Sequence, residues 1–136
     1  MDILVVDDDD FLSGVIASGM ERWGHHVETS SSGKGALERL KEKGFDLVLL
    51  DIFLPDCNGN ELIPRLKGVR PGLRVVAMTG YNSRELELEV RRQGVIYYMV
   101  KPFDLRVLKE ILDHISNRKE VNEQRVGMGI SLTEGF

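Results

Sequence analysis

The chain has 136 residues, of which 42% are hydrophobic and 29% charged, a make-up suited to a single globular domain with one core. Its formal net charge is −4 and its basic residues are scattered, which gives no footing for nonspecific nucleic-acid binding, so no direct nucleic-acid contact is expected from this segment. No apolar stretch approaches bilayer length, and the N-terminus enters a strand pattern with no basic region or cleavage site, so the expected location is cytoplasmic, with no membrane contact.

The first element is the run Ile3, Leu4, Val5, Val6. Four apolar residues without polar alternation suit a strand covered on both faces, the mark of a parallel sheet. It leads into four consecutive aspartates, Asp7 to Asp10. Like charges about 4 Å apart repel by about 4 kcal/mol per pair at an effective dielectric of about 20, so the run calls for a cation. A divalent metal and a lysine from elsewhere are the candidates. Taken in isolation, an acidic run reads better as loop and helix-cap residues, and it is the rest of the chain that overturns this for Asp7 and Asp8. Asp9 and Asp10 fit that reading, because negative charge is stabilising at a helix N-terminus.

Leu12, Ile16, Met20 and Trp23 follow with helical spacing and face the core. A weaker strand pattern spans His26 to Thr29, and stronger ones span Leu47 to Leu50, Val75 to Met78 and Tyr97 to Val100. Gly24, Gly44 and Gly94 each precede a strand, where a residue able to adopt positive φ ends a helix. Pro64 falls a turn into the third helix, Glu61 to Val69, and is expected to kink it or delay its start. Ser83 or Asn82 can cap the fourth helix and Asp104 the fifth, whose stripe is Leu108, Ile111, Leu112 and Ile115. His25 and His26 are adjacent and His114 is remote, which is not a metal-ligand spacing. The sole cysteine, Cys57, excludes an internal disulfide. Asp56 reads as a loop residue without a chemical role. Residues 1–118 are expected to form the domain, and 119–136 a disordered tail or a linker.

Five strand–helix units imply an α/β fold, a doubly wound parallel sheet with helices on both faces. Such folds place their site beyond the carboxyl ends of the strands. At those ends stand Asp7 and Asp8, Asp51, Thr79, and Lys101 followed by Pro102. Three carboxylates, a hydroxyl and an ammonium on one sheet edge are equipped for phosphoryl transfer. Asp51 can attack phosphorus as a nucleophile. Asp7 and Asp8 can hold Mg²⁺, which prefers oxygen ligands. Lys101 can pair with Asp51 before reaction and with a phosphoryl oxygen after it, and Thr79 can donate to a second oxygen.

The segments ILVVDD (3 to 8), DLVLLD (46 to 51), LPDCNG (54 to 59), MTG (78 to 80) and YMVKPF (98 to 103), in this order, resemble the receiver domain of two-component response regulators. The resemblance covers about residues 2 to 117. It implies a flavodoxin-like sheet of five strands in the order 2-1-3-4-5. It also implies a phosphoprotein of a phosphorelay, charged by a sensor histidine kinase or a histidine phosphotransfer protein and coupled to an effector domain or downstream protein. Position by position, Asp51 matches the phosphoacceptor, and Thr79 and Lys101 the switch hydroxyl and lysine. Asp7, Asp8 and Asp51, with the Phe53 carbonyl, match the metal ligands. Tyr98 matches the aromatic switch position. By resemblance, phosphorylation draws Thr79 toward the phosphoryl oxygens and Tyr98 inward, reshaping helix four, strand five and helix five, through which a homodimer can also form.

Two positions depart from the commonest pattern: Gly80 stands in place of alanine, and Asn58 in place of aspartate. Phe53 and Tyr81, two residues beyond Asp51 and Thr79, flank the path of hydrolytic water in this family and imply a shielded, long-lived phosphoryl group. The competing reading is a receiver-like docking or dimerisation module with phosphorylation incidental, and it is weakened because no site position is missing. A metabolite phosphatase would need a second acid two residues after the nucleophile, where Phe53 stands. The expected catalysis is therefore the domain's own phosphotransfer and slow dephosphorylation, with no dedicated metabolic activity.

Overall fold

The computed structural model describes residues 1–118. The elements alternate as β1 (Asp2–Val6), α1 (Asp10–Arg22), β2 (His26–Ser30), α2 (Gly33–Glu42), β3 (Leu47–Asp51), α3 (Gly59–Val69), β4 (Arg74–Thr79), α4 (Arg84–Arg92), β5 (Tyr97–Val100) and α5 (Leu105–Arg118). The strands form one parallel sheet in the order β2-β1-β3-β4-β5. Both the class and the strand order agree with expectation, while the tail expected over 119–136 lies outside the described residues. No helix among the described residues is long and apolar enough to cross a membrane.

Strand alternation divides the core in two. Ile3, Val5, Leu47, Leu49, Val76, Met78, Tyr97 and Met99 pack against Ile16 and Met20 of α1 and Leu108, Ile111, Leu112 and Ile115 of α5. The intervening residues Leu4, Val6, Val48, Leu50, Val75, Ala77 and Tyr98 pack against α2, α3 and the single buried residue of α4, Val90. With both faces covered, every residue of β3 is buried. Each fully buried Leu, Ile or Met contributes about 1.5–3 kcal/mol relative to exposure.

The helix starts follow capping chemistry. Asp9 accepts from the Leu12 N–H, Ser32 from Gly35 and Ser83 from Leu86, while Asp104 accepts from the Arg106 N–H at the start of α5. Ser83 is thus the cap of α4, leaving Asn82 for another role. Gly24 and Gly94 have φ of +92° and +85°, as a helix-ending residue should.

Two expectations need correction. Gly44 does not have positive φ; α2 instead ends at Lys43 in extended backbone (φ −151°), and the Leu40 carbonyl accepts from Arg70 Nε at 3.1 Å. Nor does Pro64 delay α3, which begins at Gly59 and runs through the proline to Val69. The start is secured upstream of the proline: the Gly59 N–H donates to Ile52 O at 2.7 Å, and Asn58 O accepts from Glu61 and Leu62. Pro64 removes the N–H that would have bonded the carbonyl four residues back.

Candidate phosphorylation and metal site

Strand register assembles the site. Val6 is level with Leu50, Asp51 with Met78, and Thr79 with Val100, so the residues at or just past these positions reach one edge of the sheet together. Alternation gives Asp7, Asp51 and Lys101 the parity of the α1/α5 face. Thr79 has the parity of Ala77, on the face that also holds Tyr98.

Lys101 Nζ lies 2.7 Å from Asp7 Oδ2 and 3.0 Å from Asp51 Oδ2. The other oxygen of each carboxylate accepts a backbone N–H from two residues further on: Asp9 to Asp7 Oδ1 at 2.9 Å, and Phe53 to Asp51 Oδ1 at 3.0 Å. Asp7 and Asp51 are buried while Asp8 is exposed, and one carboxylate oxygen from each of the three lies within 4.8 Å of the others. The Lys101–Pro102 peptide bond is cis.

Burial pushes the Asp51 carboxyl above the usual carboxylate range, and this outweighs the Phe53 N–H and the Lys101 ammonium, which pull it down. The nearby Asp7 charge adds to the upward push. Burial alone would lower Lys101, but its hydrogen bonds to Asp7 and Asp51 and their charges raise it overall. The lysine is therefore held as a cation between two carboxylates.

The donor set suits a hard divalent cation. Three carboxylates and one ammonium leave two net negative charges, the oxygens are already gathered, and Asp8 is open to solvent. Phe53 faces Asn58 in an antiparallel bridge whose hydrogen bonds run from Leu54 N to Cys57 O and from Gly59 N to Ile52 O. Those bonds flank Phe53 and leave its own carbonyl outside the turn's hydrogen bonding.

Thr79 does not join this cluster. Its Oγ1 donates to Tyr81 O at 2.8 Å and accepts from Tyr81 N at 3.0 Å. Tyr98 is 3% exposed, and its hydroxyl donates to Asn82 Oδ1 at 3.0 Å while Arg91 lies 5.7 Å over the ring. Tyr98 is thus buried while the Thr79 hydroxyl faces Tyr81. Phe53 and Tyr81 meet edge to face with ring centroids 6.0 Å apart, and both are exposed.

Asn82 and Asp56 were missed as contributors. Neither lies on a periodic stripe, and their partners are 16 and 23 residues away in the chain. Asp56 is more than a loop residue: its carboxylate accepts the Gly33 and Lys34 N–H groups at 2.9 and 3.0 Å, and these bonds hold its carboxyl below the usual range. Asp9 and Asp10 stand at the start of α1, as expected.

The family model for the response regulator receiver domain matches residues 3–113. The transcriptional regulatory protein ZraR of Escherichia coli K12 is 35% identical over 113 residues, 83% of this chain and 26% of that protein. The DNA-binding transcriptional regulator NtrC of Azospirillum brasilense is 34% identical over 85% of this chain and 24% of its own length. The chain therefore spans about a quarter of the length of these curated relatives. Among solved structures, a CheY-like receiver domain protein from Methanospirillum hungatei is similar, with TM-score 0.81 and 31% identity over 88% of this chain and 96% of that one. A Burkholderia pseudomallei response regulator, whose structure holds a phosphorylated aspartic acid and a calcium ion, has TM-score 0.74 and 28% identity over 79% of this chain and 63% of its own. With its fold, strand order and family match in agreement, the chain belongs to the response regulator receiver domains of two-component systems.

Proposed function

We propose that the chain is a phosphorylation-controlled switch in which Asp51 accepts a phosphoryl group from a sensor histidine kinase or a histidine phosphotransfer protein. The observation that carries the reading is the Lys101 ammonium, shared between Asp7 and Asp51 beside the open carboxylate of Asp8. An Asp51 carboxylate oxygen forms the new bond to phosphorus as the bond to the donor's leaving atom breaks. Lys101 can then follow the charge onto a phosphoryl oxygen while keeping its bond to Asp7.

Asp7, Asp8, Asp51 and the Phe53 carbonyl would hold Mg²⁺. Such an ion supplies charge neutralisation for the transferring group. The Burkholderia neighbour supports this reading through its phosphorylated aspartate and calcium ion. Thr79 and Tyr98 form the readout: the Thr79 hydroxyl exchanges its Tyr81 partners for a phosphoryl oxygen, and the change passes to α4, β5 and α5 through the 79–82 loop.

The curated relatives are transcriptional regulators more than three times as long. This supports an effector domain or a downstream protein as the recipient of the signal. Phe11 (82% exposed) and Val15, beside a cleft of about 460 Å³ lined by Leu12, Ile16, Pro102, Phe103 and Leu105, give a phosphodonor an apolar footing next to Lys101. A homodimer through α4 and α5 draws support from exposed Leu88 and Val100 and from the similar NtrC4 receiver domain dimer (TM-score 0.80, 26% identity over 84% of this chain and 94% of that one). A free Cys57 thiol is in keeping with the reducing cytoplasm.

Incubation with Mg²⁺ and acetyl phosphate should add one phosphoryl group by mass, with no addition in Asp51→Asn. No gain in the parent chain, or an equal gain in the variant, would remove Asp51 from its role.

A further inference from the structure

The turn between β3 and α3 carries two of the atoms the site depends on, the Phe53 N–H and the Phe53 carbonyl. Its base is closed by the bridge between Phe53 and Asn58. Its tip, Pro55 and Asp56, is exposed and would be free to swing without an outside anchor. The anchor is the N-terminus of α2. Asp56 Oδ1 accepts from Gly33 N at 2.9 Å and Oδ2 from Lys34 N at 3.0 Å, so both oxygens are used. The next N–H of that helix, Gly35, goes instead to the local cap Ser32 Oγ at 3.0 Å.

The two segments also touch below the carboxylate. A Cβ on Gly33 would lie 2.4 Å from Cys57 Sγ and 3.2 Å from a methyl of Leu62, so the thiol rests against a bare Cα. The Cys57 carbonyl in turn holds the Leu54 N–H at 3.3 Å. A continuous path of bonds and close contacts thus runs from α2 through Asp56 and Cys57 to the residue after Phe53. Released at its tip, the turn could rotate about its base. The Phe53 N–H would then leave Asp51 Oδ1, and the carboxylate would lose the orientation that presents Oδ2 to Lys101.

We propose that Asp56 is a positioning residue for phosphorylation and metal binding, clamping the Phe53 turn onto the N-terminus of α2. This rests on the function proposed above for Asp51 and its neighbours. Groups that orient metal ligands typically change affinity by about 10- to 100-fold when removed, and a clamp one step further out belongs near the lower figure.

The test compares the 136-residue protein with Asp56→Ala, Asp56→Asn and Ser32→Ala, using Mg²⁺ alone as titrant and following amide resonances. Exchange of the Phe53 N–H is measured in the metal-free proteins. Asp56→Ala should weaken Mg²⁺ binding about tenfold and speed exchange at Phe53. Asp56→Asn, which keeps one acceptor oxygen, should fall between Asp56→Ala and the parent. Ser32→Ala strips α2 of its local cap at a similar cost in thermal stability but should bind Mg²⁺ as the parent does. Parent-like affinity in Asp56→Ala, or equal weakening in Ser32→Ala, would overturn the clamp while leaving the site reading intact. No Mg²⁺ binding by the parent chain would overturn both.

Discussion

Asp7 and Asp51 are held in the same manner, each with one carboxylate oxygen on the N–H two residues ahead and the other on Lys101 Nζ, at 2.7 and 3.0 Å. The arrangement ties β1 and β3 to the end of β5 through a single ammonium whose side chain is 16% exposed. Removing the ammonium leaves two buried carboxylates facing each other, which costs more than the intact set contributes.

Lys101→Ala should therefore lose about 2–4 kcal/mol of stability at neutral pH without added metal. Because Asp7, Asp8 and Asp51 remain together, saturating Mg²⁺ should return much of that loss. The expected result in thermal melts is a larger Mg²⁺-induced rise in Tm for the variant than for the parent. An equal rise in both would mean that lysine and cation do not share the same carboxylates.

Burial raises the Asp51 carboxyl above the ordinary value. Between the unfolded and the folded titration, the native state holds this proton more tightly, so the group's contribution to stability declines as pH rises through that window. Asp51→Asn removes the cost. At neutral pH without metal the variant should be the more stable of the two, seen as a higher Tm. The gain should vanish as pH falls through the ordinary carboxylate range, where both states are protonated. With Mg²⁺ the order should reverse, because the parent then has a ligand that the variant lacks. Melts across pH, with and without the ion, check all three signs.

The residues at this sheet edge were legible because strand ends are legible. A buried parallel strand is an unbroken apolar run, and the first polar residue after each run marks the sheet edge where sites form. Asp7, Asp51, Thr79 and Lys101 were found that way. The polar bonds that hold the elements in place were not, because they join residues with no shared period: Asp56 to the start of α2, Lys67 to the Gln93 and Gly94 carbonyls at the end of α4, and Asn82 to Tyr98. Gly44 misled for a related reason. A glycine after a helix allows positive φ but does not require it, and here Arg70 serves the Leu40 carbonyl instead.

The edge-to-face pair of Phe53 and Tyr81 stands at the positions expected to flank hydrolytic water, 6.0 Å between centroids. The Phe53 ring offers no group that could orient a water for attack on an Asp51 phosphoryl group, and Tyr81 offers only its phenol hydroxyl. Phe53→Asn keeps the backbone carbonyl and replaces the ring with an amide that can hold water; Tyr81→Glu supplies a carboxylate. Together they should shorten the phosphoryl lifetime about tenfold, equivalent to about 1.4 kcal/mol in the barrier. Decay of the phosphorylated protein by mass spectrometry is the measurement, and unchanged or slower decay in the double variant would remove the shielding role.

Thr79 and Tyr98 share a face of the sheet but do not bond to each other; the 79–82 loop connects them, through Tyr81 at one end and Asn82 at the other. For the Thr79 hydroxyl to reach a phosphoryl oxygen it must release the Tyr81 N–H and carbonyl, so the loop has to move, and Asn82 with it. Thr79→Ala should still take up phosphate on Asp51, since the nucleophile and Lys101 are untouched, with a stability loss of about 1 kcal/mol from the lost hydrogen bonds. Its Tyr98 ring resonances should no longer shift on phosphorylation. Asn82→Ala should keep the Thr79 response and lose the Tyr98 response, and in a Tyr98→Phe background the same change should add almost nothing, a coupling of about 1 kcal/mol. A Tyr98 shift of parental size in either single variant would break the proposed route from phosphoryl group to α4.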